Sequence, residues 1–433
     1  MKARNGSSQS SKEKKKKDFC DLMKSQNFFY IFIPFKIAQG CSSVLIPLLI
    51  VDLGGRAKEV GLVMGLYTVF SMFGTIFWGK ISDKFKKRKT CILIGFSGTF
   101  LSYLFLSMAT TLSQVILIQI FFGVFIAAEI PVTTVYILRS TNKFYWDEAI
   151  GRFNKITGWA WVIGLGLGSI ALFFVSIPDL FLMNSFIAAI SLVLGQKYLK
   201  QKPIYINRST FRIYLTQIVE KARYIPNYLI HLPAIRISEN KKVKAFLISS
   251  FLIFTASSLL MTPIVPYLKF LGASSSLCFA ASFIHSSASA LMYQKAGRHI
   301  YKKGTLRILR YGLIGRILLA FLMSIVIIYH GSIIPVILMY GLLGITWSYI
   351  IIPSFSYMSK TSRKDREGGA FGSFNFFYSF GLLTGNFLSG FIVDYWGYPI
   401  DIFLAIILLS IAILNLKKSR IKEKKIDLKK IYG

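Results

Sequence analysis

Lys36 and Glu129 are the side chains best placed for chemistry. Each stands inside a run of about twenty apolar residues, where an unpaired charge is costly and marks a functional candidate. A carboxyl group paired with an ammonium in one state and released in another takes up and returns a proton. Lys36 falls about ten residues into the run that starts at Phe28, and Glu129 lies ten residues before Arg139. At about 1.5 Å per helical residue, both sit roughly 13–15 Å deep. What they offer is proton exchange or the holding of a solute by charge-assisted hydrogen bonds. Bond-breaking chemistry is not in view, because no nucleophile stands with a base. No His and acid cluster points to a metal centre, and no Gly-rich strand-to-helix loop suits a nucleotide. Neither an enzyme, a cofactor nor an ATP-driven pump is expected.

The elements that must position these groups are membrane helices. The chain has 433 residues, 54% hydrophobic and 15% aromatic, too apolar to fold with a polar surface. Runs long enough to cross a hydrocarbon core of about 30 Å recur from Phe28 to Leu416, and we count twelve. In the first half they are residues 28–51 (with Lys36, Gln39 and Pro47), 60–80, 91–109, 114–138 (with Glu129 and Pro131), a span entered from the loop 139–155, and 180–199. The second six lie near 245–270, 276–294, 308–329, 333–357, 369–393 and 399–416. The predicted fold class is an all-α membrane protein with twelve transmembrane helices. Residues 1–27 form a basic tail, 28–199 a first six-helix bundle, 200–244 a linker, 245–416 a second bundle and 417–433 another basic tail. Pro203, Pro226 and Pro233 break up the linker, where Ser209 to Arg223 has the pattern of an amphipathic surface helix.

A net charge of +34 would suit nucleic acid, but the distribution of charge argues otherwise. All but five Lys and Arg residues fall in the tails and alternate loops, the exceptions being Arg56, Lys58 and Lys269 in other loops and Lys36 and Arg316 inside spans. That asymmetry predicts cytoplasmic termini and linker, with anionic lipid headgroups as partners of the excess charge. Cys20, Cys41, Cys91 and Cys278 show neither close pairing nor metal-type spacing, so free thiols are expected. Lys14 to Lys17 precede a full-length span without a small-residue cleavage site, so no cleavable signal is expected.

One loop has a pattern beyond its charge. Gly79-Lys-Ile-Ser-Asp83-Lys-Phe-Lys-Lys-Arg88-Lys89 sets a glycine and an acid at fixed spacing in a basic turn between two spans. It resembles the signature loop between helices two and three of the major facilitator superfamily. An internal repeat at an offset of about 220 agrees with this: Gly151-Arg-Phe-Asn154 matches Gly372-Ser-Phe-Asn375, Gly164 falls on Gly385, and Ile46-Pro-Leu-Leu matches Val265-Pro-Tyr-Leu. Parallel six-helix repeats are what this resemblance implies, together with a plasma-membrane, multi-pass carrier that rocks two halves about a central cavity. For Gly79, Asp83 and Arg88 it implies a conformational latch, with Gly79 allowing close helix packing and Asp83 accepting hydrogen bonds near a helix N-terminus of the other half. The corresponding loop of the second half, Gln294 to Gly304, has no Asp, so the latch would be single-sided.

Because the resemblance sets spans one and four side by side, Lys36 and Glu129 are expected to pair on the cavity wall. The alternative is that Lys36 snorkels to the interface while Glu129 stays protonated in a packed site. Thr255 and Ile350 occupy the matching places of the second half. Two features common among drug and sugar carriers are altered: Gln119 stands where an Arg would precede Gly123, and Gly164-Leu-Gly166-Leu-Gly168 lacks the proline of the antiporter motif. Those glycines, with Gly158, also read as plain close packing. Gln39, Trp159, Tyr267, Trp347 and Asn375 join the candidate substrate and coupling residues. Aromatics including Tyr30, Phe35, Trp161, Tyr340, Tyr349, Phe376 and Tyr378 suit either the core or a cavity taking amphipathic or sugar-like solutes. Arg316 is expected to snorkel or brace helices, His285 to be a satisfied packing residue, and Asn386 to be a polar group on the cavity side.

The leading function is a secondary transporter of a small organic solute, working by alternating access and coupled to protons, as a monomer. Two alternatives stand beside it: a facilitative or uptake carrier for a sugar-like or anionic metabolite held by Lys36, and a non-transporting receptor or scaffold.

Overall fold

A computed structural model describes residues 27–85, 87–129, 132–133, 136–137, 146–199, 240–329, 332–361 and 367–419. The basic tails, the linker up to residue 239 and the Asp83 side chain lie outside them. Among the described residues the secondary structure is all helical. A 3-10 turn, Asn27–Ile31, leads into α1 (Phe32–Asp52), followed by α2 (Ala57–Phe85), α3 (Arg88–Ser107), α4 (Leu112–Ile126), α5 (Trp146–Ala171) and α6 (Ile177–Tyr198). After the linker come α7 (Lys241–Met261), α8 (Ile264–Phe270), α9 (Ser275–Lys303), α10 (Thr305–Ile328), α11 (Ile333–Thr361), α12 (Glu367–Trp396) and α13 (Tyr398–Asn415).

Local chemistry explains the ends. Thr111 and Gln114 close α4 with a reciprocal capping box, while Ser176 caps α6 just ahead of Pro178. Gly304, at φ 88°, makes the sharp corner from α9 to α10, a left-handed conformation that glycine adopts without steric cost. The span expected as one rod near 245–270 is divided into α7 and α8 at Pro263, which has no N–H to continue the ladder. Pro47 and Pro353, by contrast, are absorbed inside α1 and α11. Several helices outrun their apolar stretches. Helix α2 continues through most of the expected signature loop to Phe85, α5 is already under way at Trp146, and the expected loop from Gln294 is the last part of α9. Backbone hydrogen bonds, not apolarity, decide where a helix stops.

Nine stretches among the described residues are long and apolar enough to cross a membrane, and the 15-residue α4 is a shorter apolar helix. Helices α5 and α9 fall below that apolarity; they are the pair that meets across the middle of the molecule. Neighbour relations recur along the chain. Helix α1 packs on α5 and α6, α3 on α4 and α6, and α2 on α4; in the same order α7 packs on α12 and α13, α10 on α11 and α13, and α9 on α11. Among the described residues the most extensive packing between these sets is α2 with α12 and α5 with α9, with smaller contacts of α1 on α8 and α9 and of α2 on α8.

That seam is closed at one end. Near the α1–α2 turn, Gly61 and Gly390 bring the backbones of α2 and α12 together so closely that a methyl group on either would collide, and Lys58 Nζ lies 5.3 Å from the Phe391 ring centroid. Ser276 Oγ donates to the Ser169 carbonyl at 2.6 Å, tying α9 to α5. Asn386 Nδ2 donates to Thr68 Oγ1 at 3.3 Å, while its Oδ1 accepts from Ser258 and Thr262. At the opposite end the same four helices carry Gly79, Gly151, Gly158, Gly297 and Gly372, where an added methyl group would meet nothing within 4 Å. The close packing expected of Gly79 is therefore absent here, since no neighbour approaches it. Further up α5 the packing is tight: Gly164 lies against the Ile37 backbone, and Gly168 against the Phe279 ring and Cys41.

Candidate functional site

Helix α1 sets Lys36 and Gln39 one turn apart on a common face. Its first turn is pinned from α6: Ser191 Oγ accepts from the Phe35 N–H at 2.9 Å and donates to the Ile31 carbonyl at 2.7 Å, so a hydroxyl is inserted in the helical ladder just before Lys36. Phe96 of α3 packs on Phe32 and Phe35, and Phe153 of α5 packs edge-on against Phe32, which fixes the roll of the helix. Glu129 enters from the turn that follows α4, its N–H bonded to the Ile126 carbonyl. Gly95 on α3 makes room for it, because a methyl group there would come within 3.2 Å of the Glu129 nitrogen.

These elements bring three of the sequence candidates together. Lys36 Nζ donates to Gln39 Oε1 at 2.8 Å and to Glu129 Oε2 at 3.2 Å. The Glu129 side chain is 2% exposed and that of Lys36 17%, so the acid is sealed while the ammonium touches open space. The snorkelling alternative for Lys36 does not hold, because its amine turns to the carboxylate. The arrangement is a charge-assisted hydrogen bond with an amide as second acceptor, in which protonation of the acid would release the ammonium. The matching positions of the second half carry no charge: Thr255 bonds its own helix at Phe251 and Ile350 is buried.

The remaining candidates are dispersed. Gln119 is buried on α4, its Nε2 without a hydrogen-bond partner among the described residues. Trp159 is 41% exposed on α5, and Asn375 is exposed on α12. Tyr267 is buried on α8 against Tyr398, the rings 4.4 Å apart. Trp347, half-buried on α11, has Phe254 edge-on at 6.0 Å. Arg88 is buried in the first turn of α3, and next to it Lys89 Nζ donates to the Gln196 carbonyl at 2.6 Å. His285 is satisfied, its Nδ1 2.9 Å from the Tyr340 carbonyl; a carbonyl only accepts, so that nitrogen carries the proton.

Two positions were undervalued by sequence reasoning. Gly95, which the sequence did not single out, seats Glu129. Arg316 does not snorkel: it is fully buried, its guanidinium 5.6 Å from the Trp347 ring centroid.

Comparison with known proteins gives this site its setting. No curated protein matches the sequence. Among solved structures, a POT family transporter in complex with a thioalcohol conjugated peptide superposes with a TM-score of 0.74 at 14% identity, covering 91% of this chain and 96% of its own. The nucleoside transporter NupG gives 0.69 at 15%, covering 91% and 99%, and a D-xylose-proton symporter gives 0.66 at 11%, covering 92% and 96%. At these identities the likeness is one of fold. Residues 28–386 match the Major Facilitator Superfamily. A family match over most of the length, on apolar rods packed about a buried acid and its amine partner, leads to one conclusion: the chain belongs to the Major Facilitator Superfamily, a multi-pass membrane transporter.

Proposed function

We propose that the protein moves a small organic solute across the plasma membrane by alternating access, with Glu129 as the proton-coupling group. The Lys36–Gln39–Glu129 cluster carries this reading: an acid and an amine share a bond that a proton would break, in a first half whose seam with the second is tightly packed at one end and, among the described residues, leaves its glycines uncontacted toward the other. Twelve crossings follow if α4, α5 and α9 span along with the nine apolar stretches, and the recurring neighbour relations support two six-helix halves, 28–199 and 245–416. Cytoplasmic termini, as the basic loops indicate, would make this state open toward the cytoplasm. The solved structures that share the fold are a peptide-bound transporter, a nucleoside carrier and a proton symporter, which fits small polar solutes without selecting one.

The test starts from a thermal-shift screen of metabolites on the purified protein, since ligands stabilise the state that binds them. The hit is then followed into proteoliposomes under an imposed pH gradient. Glu129→Gln should fold normally and lose gradient-driven accumulation while retaining solute exchange; unchanged accumulation would remove Glu129 from coupling. A second reading, a facilitative carrier in which Lys36 holds a sugar-like or anionic solute, draws on the greater exposure of Lys36. There Lys36→Ala weakens binding without altering the pH dependence of transport.

A further inference from the structure

Arg316 lies eleven residues from the start of α10, ~16 Å along the helix, and is among the largest fully buried side chains of the protein. None of its three guanidinium nitrogens has a hydrogen-bond partner among the described residues. The helices packed on α10 do not answer its charge. Helices α9 and α11 contain no Asp or Glu, and the acid of α13, Asp401, sits in that helix's first turn and accepts from Ser389. His285 and Tyr340 are engaged with each other, stacked at 4.6 Å.

A guanidinium stays protonated in proteins, so five donors and a full charge are held dry. The Trp347 ring face offers a cation–π contact, which is small beside the cost of desolvating an unpaired ion. A charge maintained under those terms inside a membrane protein is a functional-site candidate by default. The geometry of the group selects the anion: a planar fork takes two oxygens of one carboxylate or phosphate. Trp347, which contacts the guanidinium, is partly exposed whereas Arg316 is fully buried.

We propose that Arg316 binds the carboxylate or phosphate of an organic anion, with Trp347 as the ring that covers the guanidinium until that anion displaces it. This rests on the carrier reading and names its substrate class. The experiment uses the purified full-length chain, melted in detergent with benzoate or phenyl phosphate, against benzyl alcohol and sodium chloride at matched ionic strength. The wild type should be stabilised by an anion and not by the alcohol, and the more effective anion distinguishes carboxylate from phosphate. Arg316→Gln should melt at or above the wild-type temperature without anion and bind it at least tenfold more weakly. Arg316→Lys, which keeps the charge but loses the fork, should fold and fall between the two. Equal shifts in wild type and Arg316→Gln, or no anion shift in the wild type, would overturn the proposal. So would melting of both variants well below the wild type, which would make the guanidinium a brace. Failure of the carrier reading looks different: Arg316-dependent stabilisation would persist while proteoliposomes moved no labelled benzoate or phenyl phosphate.

Discussion

At the scale of residues, Lys36 in the first half has found its acid, whereas Arg316 in the second has none among the described residues. Removing one member of a dry ion pair costs about 3–5 kcal/mol, mostly because the other is stranded. Lys36 retains some exposure, so Lys36→Met should lower stability by about 2–3 kcal/mol. Lys36→Met combined with Glu129→Gln should recover most of that loss, because no charge is then left alone. Thermal unfolding of the single and double variants in detergent measures both. Additive losses would mean that the two groups are not energetically coupled. The similar depth of the two groups was legible in the sequence, but their pairing was expected only because the family resemblance implies that spans one and four lie side by side. The isolation of Arg316 was not legible, because sequence gives depth along a rod but not the side on which a residue projects.

At the scale of elements, glycines separate into those that a neighbour presses on and those that nothing touches. Replacing a helical Gly by Ala gains up to about 1 kcal/mol of intrinsic helix stability, while overpacking costs about 1–3 kcal/mol. At Gly164 the opposing atoms are the backbone of Ile37, which has little freedom to withdraw, so Gly164→Ala should destabilise. At Gly79 nothing is within 4 Å, and Gly79→Ala should leave stability unchanged or slightly raised. Comparing the two melting temperatures is enough, and a drop at Gly79 as large as at Gly164 would contradict the packing described here. The sequence set Gly79 in a basic loop and Gly164 in an apolar run, yet close packing was an expectation for both, and nothing in the sequence told which one a neighbour would press on. Helix ends were equally hidden. The apolar runs mark what lipid requires, whereas the helical ladders of α2 and α9 carry on past them through lysine-bearing turns.

At the scale of the whole molecule, the proposed alternating access requires the seam to open where Ser169 and Ser276 now hold it shut. The Oγ atoms of Ser169 and Ser276 are 3.3 Å apart, a spacing that suits a disulfide once both are cysteine. Ser169→Cys with Ser276→Cys should cross-link under oxidation, stop solute movement and regain it on reduction, read as flux before and after reductant. Full flux in the cross-linked protein would show that this end need not open. Closing the other end would bring α2 and α5 toward α12 and α9 at Gly79, Gly151, Gly158, Gly297 and Gly372. Gly158→Leu should therefore leave melting unchanged here while slowing transport at least tenfold, about 1.4 kcal/mol on the barrier.

The modest apolarity of α5 and α9 also bears on how the chain is made. A segment too polar to partition into lipid alone depends on a companion as it leaves the insertion machinery, and α5 is synthesised long before α9, the helix it meets. Until then the side of α5 that carries Gly166 and Ser169 lacks the helix it packs on, and among the described residues its main neighbour in the first half is α1. Truncated nascent chains ending between the two should hold α5 loosely, and the addition of α9 should fix it.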